Sequence, residues 1–104
     1  MGQNPEWANN AGSEVAGLRS VLNITAATLV KASAGRLATI SVLVVGTTVG
    51  SANDSATVAG AAPANQIAVI PEAVTTSPLV MNWPCKNGIV VTPGTGQTLA
   101  VSYS

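Results

Sequence analysis

The sequence predicts an all-β domain, an antiparallel β-sandwich or jelly roll of seven or eight short strands, preceded by an N-terminal arm. Three observations carry that prediction. From Asn23 onward Ala, Val, Thr, Ser and Ile dominate, punctuated by Gly and Pro. Apolar residues there recur at every second position over short runs, the period of a strand with one buried face. No long stretch sustains the 3.6-residue period of an amphipathic helix.

Residues 1 to about 12 are rich in Asn and Gly with little apolar content, the composition of an arm. Within 13–22, Val15, Leu18 and Leu22 fall at i, i+3 and i+7 behind Ser13 as N-cap. That spacing predicts one short amphipathic helix at best, and Gly17 weakens it by about 1 kcal/mol. The arm is therefore expected over 1–22 and the β-domain over 23–104.

Residues 24–32 and 37–45 read as strands flanking the turn Ser33-Ala34-Gly35. In the second strand Ile40, Val42 and Val44 share a purely apolar face, and Leu37, Thr39, Ser41, Leu43 and Val45 share a mixed one. Residues 46–53 are turn-rich, with a short returning strand around Gly50. Small, Ala-rich residues 54–65, with Pro63, predict a long loop containing a helical turn. The last third is a regular series of strands: 66–70 stopping at Pro71, 79–83 stopping at Pro84, 88–92 stopping at Pro93, and 97–103. Pro93-Gly94-Thr95-Gly96 predicts a hairpin between the last two, because two glycines and a proline supply the turn dihedrals.

Only 8% of the 104 residues are charged, against about 25% in an ordinary soluble domain. The chain has no His and one Cys, and its formal net charge is zero. The eight charges are scattered along the sequence at Glu6, Glu14, Arg19, Lys31, Arg36, Asp54, Glu72 and Lys86, so neither a basic patch nor nucleic-acid binding is expected. A neutral surface favours association. With only Trp7, Trp83 and Tyr103 as aromatics the core is thin, and interfaces shared between copies would help to stabilise it. The apolar stretch 37–45 is far shorter than the ~20 residues of a membrane-spanning helix. The first residues have neither a basic nor an apolar signal-peptide region, so synthesis in the cytoplasm without membrane contact is expected.

Motifs that could carry chemistry all have plainer readings. Gly94-Thr95-Gly96-Gln97-Thr98 lacks the Lys and the following helix of a phosphate loop and reads as a turn. Asn23-Ile24-Thr25 and Asn53-Asp54-Ser55 match a glycosylation acceptor pattern that arises often by chance. Cys85 has no His to activate it and reads as a small packing residue. One Cys and no His leave too few ligands for zinc, so neither a metal nor a cofactor is expected. Asp54 is expected to cap its own turn by accepting backbone N–H bonds. Trp83 reads as a core residue, and Trp7, in a polar arm, as an anchor on a neighbouring subunit or an unattached tail residue.

Two segments carry a resemblance. They are Ile24-Thr25-Ala26-Ala27-Thr28-Leu29-Val30-Lys31 with Gly35-Arg36-Leu37, and Asn82-Trp83-Pro84-Cys85-Lys86-Asn87-Gly88-Ile89-Val90-Val91 followed by Pro93-Gly94-Thr95-Gly96-Gln97-Thr98. Together they resemble a small β-domain of tailed-bacteriophage head decoration, cement and head-fibre proteins, over 24–104. The resemblance implies a homotrimeric protein on the outer surface of the virion head, bound to a major capsid protein of the HK97 type. No family signature for capsid contact transfers. The unmatched arm is the expected attachment segment by its composition, with Trp7, Val15, Leu18 and Leu22 as the contact candidates. The expected function is non-enzymatic cementing of the shell. The alternative is a head-fibre or tail-associated adhesin that presents Asn65, Gln66, Asn82 or Trp83 to the host surface. An enzyme is a distant third, because a hydrolase needs two carboxylates about 5–10 Å apart and two of the four acids lie in the arm.

Overall fold

The computed structural model describes residues 18–73 and 78–104, and among these eight strands form two four-stranded antiparallel sheets packed as a β-sandwich. The strands are β1 (Arg19–Ile24), β2 (Thr28–Lys31), β3 (Gly35–Val44), β4 (Gly50–Asn53), β5 (Gln66–Ile70), β6 (Leu79–Cys85), β7 (Ile89–Thr92) and β8 (Thr98–Tyr103). Sheet I runs β1-β8-β3-β6 and sheet II runs β2-β7-β4-β5. Thus β1 pairs with β8, β2 with β7, β3 with β6 and β4 with β5. The first half of the chain pairs in reverse with the second, like one long hairpin rolled up, and the β3–β8 and β4–β7 ladders close the roll.

This connectivity corrects the expected turns. Residues 24–32 are not one strand: β1 ends at Ile24 in sheet I and β2 begins at Thr28 in sheet II. The turn at 33–35 and the predicted hairpin at 93–96 also carry the chain from one sheet to the other. No β7–β8 hairpin can form, because both sides of β8 are occupied by β1 and β3. Gly and Pro report that the chain turns, which is local; which strand it then joins is decided by distant partners. Only the β4–β5 connection stays within one sheet, and it holds the predicted loop with its helical turn, Pro63–Asn65.

The helix expected over 13–22 is overturned at its C-terminal end. Arg19–Ile24 is strand β1, which starts four residues before the expected edge of the β-domain and pairs Val21 with Val101 and Ile24 with Leu99. Leu18 and Leu22 do not line a buried helical face; both are exposed. Residues 13–17 lie outside the described residues. Strand β6 runs through Pro84 rather than stopping before it, as an edge strand allows because its outer N–H positions need no partner.

Core phase is set by bulges. In the β3–β8 ladder Leu37 faces Tyr103 and Thr39 faces Ser102, so Ala38 is an extra residue. That bulge moves Leu37 from the predicted mixed face to the core beside Ile40 and Val42. A second extra residue, Leu43, lies between the Val42–Leu99 and Val44–Thr98 pairs and turns Val44 out to solvent. From sheet II, Val30, Ala52, Ile70, Ile89 and Val91 complete the core, with Cys85 of β6 also inside it.

One buried amide secures the crossing at 93–97. Gln97 is only 1% exposed. Its Oε1 accepts from the Gly94 N–H at 2.9 Å, its Nε2 donates to the Pro71 carbonyl at 2.7 Å, and its own N–H donates to the Gly94 carbonyl at 3.0 Å. Gly50 leaves room for it, since a Cβ there would sit 2.9 Å from Gln97 Oε1, and Gly96 supplies the left-handed turn residue at φ 74°. Replacing Gln97 by Leu keeps much of the volume but leaves a donor and an acceptor without partners. We expect Gln97→Leu to cost about 2–4 kcal/mol of unfolding free energy, read as a lower urea midpoint at unchanged slope.

Candidate interaction surface

The two outer faces of the sandwich are treated differently. On sheet II, Val90 pairs with Leu29 and Asn53 on the face opposite the core, yet Val90 is fully buried and Asn53 is 4% exposed. Asn53 Nδ2 donates to the Ala62 carbonyl and to Asn65 Oδ1, both at 2.9 Å. Asn65 in turn accepts from the Ala62 N–H at 3.0 Å and donates to the Gly60 carbonyl at 2.9 Å. The 54–65 loop is thereby held against this face. An open, polar depression of about 210 Å³ remains at its edge, among Ser51, Asn53, Pro63, Gln66 and Thr92.

Among the described residues no loop is held over the outer face of sheet I. Cross-strand partners share a face, so the ladders assemble Ser20, Ser102, Thr39 and Val80 in one row, Ala100 with Ser41 in the next, and Thr98 with Val44 in a third. Leu22, 70% exposed, adjoins them at the β1 irregularity, and Val80 is 78% exposed. Thr39 and Ser102 share a hydroxyl–hydroxyl hydrogen bond. None of these positions carries an ionisable side chain. The solvent face of an ordinary domain carries about 25–35% charged residues. Here the central rows carry only Ser, Thr, Ala and Val, with Arg36 at one end.

The edges are closed to strand addition by backbone rather than by charge. Each of the four edge strands carries an extra residue relative to its neighbour: within 21–24 of β1, at Val30 of β2, at Ile67 of β5 and within 80–83 of β6. Two of these irregularities hold a left-handed Asn, Asn23 at φ 57° and Asn82 at φ 47°. Asn tolerates that conformation better than most residues. Arg36 braces the β6 irregularity by donating from Nη1 to the Asn82 carbonyl at 2.9 Å. Bulged edges resist pairing with another chain.

Charges that are scattered in sequence converge in space, which corrects the expectation that no basic patch exists. Arg19 faces Tyr103, Arg36 exchanges backbone hydrogen bonds with Ser104, Lys31 faces Ile89 and lies over Gly35, and Lys86 follows β6. All four basic residues of the chain therefore ring the end of the sandwich where β1 begins. Among the described residues Asp54 is the acidic side chain at that end. Its Oδ1 accepts from the N–H groups of Asn87 at 2.8 Å and Gly88 at 3.3 Å, and its Oδ2 from Lys86 N–H at 2.9 Å. It thus caps the β6–β7 turn, some thirty residues away, and not its own turn as expected. Burial pushes its carboxyl up, but those three N–H bonds and the Lys86 charge outweigh burial and hold it below the ordinary 3.8.

Of the contact candidates, Leu18 and Leu22 are exposed at the start of β1 and at its irregularity, while Trp7 and Val15 lie outside the described residues. Trp83 does not join the core: it is 46% exposed on edge strand β6, beside exposed Asn82. Gln66 is exposed on β5 in the other sheet, and Asn65 is engaged in its own loop. Cys85 is buried, and burial first, then the Asp54 charge, push its thiol up to about 11, so it stays protonated at neutral pH. The Gly94 and Thr95 N–H groups bond to Gln97 Oε1 and Thr48 Oγ1, leaving neither for a phosphate. Among the described residues no group of three or more Cys, Asp or Glu could hold a metal, and no helix is long and apolar enough to cross a membrane.

The depressed Asp54 pKa makes a signed prediction. A carboxyl lowered in the folded state binds protons more readily when unfolded, so its stabilisation is full above its ordinary pKa and disappears as pH falls through the lower folded value. Asp54→Asn should lower stability by about 1–3 kcal/mol at neutral pH. The gap between variant and parent in urea melts should close below pH 3.8, as Asp54 itself becomes protonated.

No protein-family model matches the chain, and neither a curated protein nor a solved structure matches it.

Proposed function

We propose that this protein is a non-enzymatic decoration, or cement, protein of a tailed-bacteriophage head, bound as a homotrimer to the outer surface of an HK97-type shell and stabilising it. The observation that carries the reading is the pair of unlike outer faces. One sheet is covered by the protein's own loop, and the other presents, apart from Arg36 at one end, a surface of uncharged Ser, Thr, Ala and Val among the described residues. A neutral face meets its own copies without like-charge repulsion, and bulged edges direct association toward faces. We read the rolled connectivity as a jelly roll, an architecture common among viral capsid and lectin domains, which is support by fold analogy alone. Repetition over many sites lets weak individual contacts sum to a large gain in particle stability.

A second reading, a head-fibre or tail-associated adhesin, draws on one observation, the half-exposed Trp83 beside Asn82 on an outer strand. An aromatic ring flanked by an amide suits sugar stacking. Binding to host-surface glycans that is lost in Trp83→Ala would favour it over cementing.

Two measurements test the favoured reading. Ser41→Lys with Val80→Lys places cations on the bare face; the variant should remain folded with a nearly unchanged melting temperature but sediment as a monomer, where the parent sediments as a trimer. Particles assembled without the protein should lose their genomes on heating or osmotic shock at milder conditions than decorated ones. Equal genome retention with and without the protein sinks the cement role.

A further inference from the structure

The hydrogen bonds that hold the 54–65 loop leave one buried oxygen poorly served. Asn53 is 4% exposed, and its Nδ2 is engaged by the Ala62 carbonyl and by Asn65 Oδ1, both at 2.9 Å. Those two acceptors fix which end of the amide is the nitrogen, so Oδ1 is turned toward Ser51, the next residue on that face of β4. Among the described residues its one neighbouring donor is Ser51 Oγ at 3.5 Å, the outer limit of a hydrogen bond. A buried amide oxygen without a good donor is costly. Asn53 and Ser51 both line the open depression of about 210 Å³. Gln66 reaches it from β5, where it pairs with Asn53, and Thr92 from β7, where it pairs with Ser51. Ala62 and Pro63, at the start of the loop's helical turn, wall it on the loop side.

We propose that this depression is a binding site for one neutral sugar ring. No residue lining it is ionisable. Asp54, next in sequence to Asn53, turns its carboxylate to the N–H groups of residues 86–88. Neither an anion nor a cation is therefore favoured. The floor calls for groups that both donate and accept: Asn53 Oδ1 needs a donor, whereas the Ser51 and Thr92 hydroxyls and the Gln66 amide can take either role. Adjacent hydroxyls of a sugar supply both, and the C–H face of the ring can lie against Pro63. Size limits the ligand. A volume of about 210 Å³ is below the roughly 300–1,000 Å³ of sites that enclose a drug-sized molecule, which suits one ring and leaves the rest of a glycan outside. The site is also preorganised, because Asn53 and Asn65 tie the loop down and the Pro63 ring fixes its own φ, so little ordering opposes binding. It is separate from both proposed functions: copies meeting on sheet I leave it open, and Trp83 lies in the other sheet.

The experiment titrates the full-length 15N-labelled protein with the methyl glycosides of glucose, galactose, mannose, rhamnose and N-acetylglucosamine. At least one should shift the backbone amides of Ser51, Asn53 and Thr92 and the side-chain amide of Gln66, saturating with a dissociation constant on the order of 1 mM. The amides of Val80 and Thr98, in sheet I, should not move. Cyclohexanol, a six-membered ring with one hydroxyl, should give no saturable shift. Thr92→Val keeps the shape of the side chain and removes one hydroxyl, so affinity should fall about three- to tenfold with the rest of the spectrum unchanged. Ser51→Ala should do the same, and Trp83→Ala should leave the affinity as it is. The absence of a saturable shift with every glycoside overturns the proposal and leaves Asn53 Oδ1 to an ordered water. Unchanged affinity in both Thr92→Val and Ser51→Ala also overturns it, as does cyclohexanol binding as tightly as the best glycoside. Shifts that disappear in Trp83→Ala overturn it by assigning the sugar to β6.

Discussion

The pairing of β3 with β8 decides what is inside this protein. Simple alternation along β3 groups Leu37 with Thr39, Ser41 and Leu43, and Val44 with Ile40 and Val42, so it does not by itself give the buried set. Extra residues at Ala38 and Leu43 set the phase, bringing Leu37, Ile40 and Val42 to one side against Leu99 and Val101. A one-residue slip would exchange that set for Thr39 and Ser41 and break the Thr39–Ser102 hydroxyl pair. Because β8 is flanked by β1 and β3, and β3 by β8 and β6, every strand of sheet I takes its register directly or at one remove from this ladder.

A chain with eight charged residues cannot mark its outside with lysines and glutamates, and other devices take their place. Irregularities guard all four edge strands, where charged side chains would ordinarily discourage strand addition. Buried amides, Gln97 at one crossing and Asn53 beneath the 54–65 loop, hold irregular backbone by hydrogen bonds. The few charges are concentrated: Asp54 caps the β6–β7 turn and Arg36 braces Asn82, both at the basic end. What this arrangement leaves undefended is the outer face of sheet I.

Most strands were legible because alternation and Pro/Gly punctuation are local signals. Residues 66–70, 88–92 and 97–103 fall within a residue of β5, β7 and β8. Pairing was not legible. Pro93-Gly94-Thr95-Gly96 has hairpin chemistry, yet it spans the two sheets because β8 already has both neighbours. Short β1 was hidden by a spacing of Val15, Leu18 and Leu22 that mimics a helix. Leu37 and Val44 were assigned to the wrong faces because a bulge has no reliable sequence mark, although the left-handed Asn23 and Asn82 are a faint one. The basic end was missed because its members, at 19, 31, 36 and 86, are brought together only by the rolled pairing. The bare face was half legible: scarcity of charge was plain, but its contrast with a loop-covered partner face was not.

In the proposed assembly, copies meet on the outer face of sheet I. Methyl resonances of the full-length protein, recorded with a soluble paramagnetic agent across a concentration series that spans assembly, test it most directly. The methyls of Leu22, Val44 and Val80 should lose access to the agent as assembly proceeds, while Val58 and Val69, which lie outside sheet I, stay accessible. Protection of Val58 and Val69 with Val80 left open would contradict it.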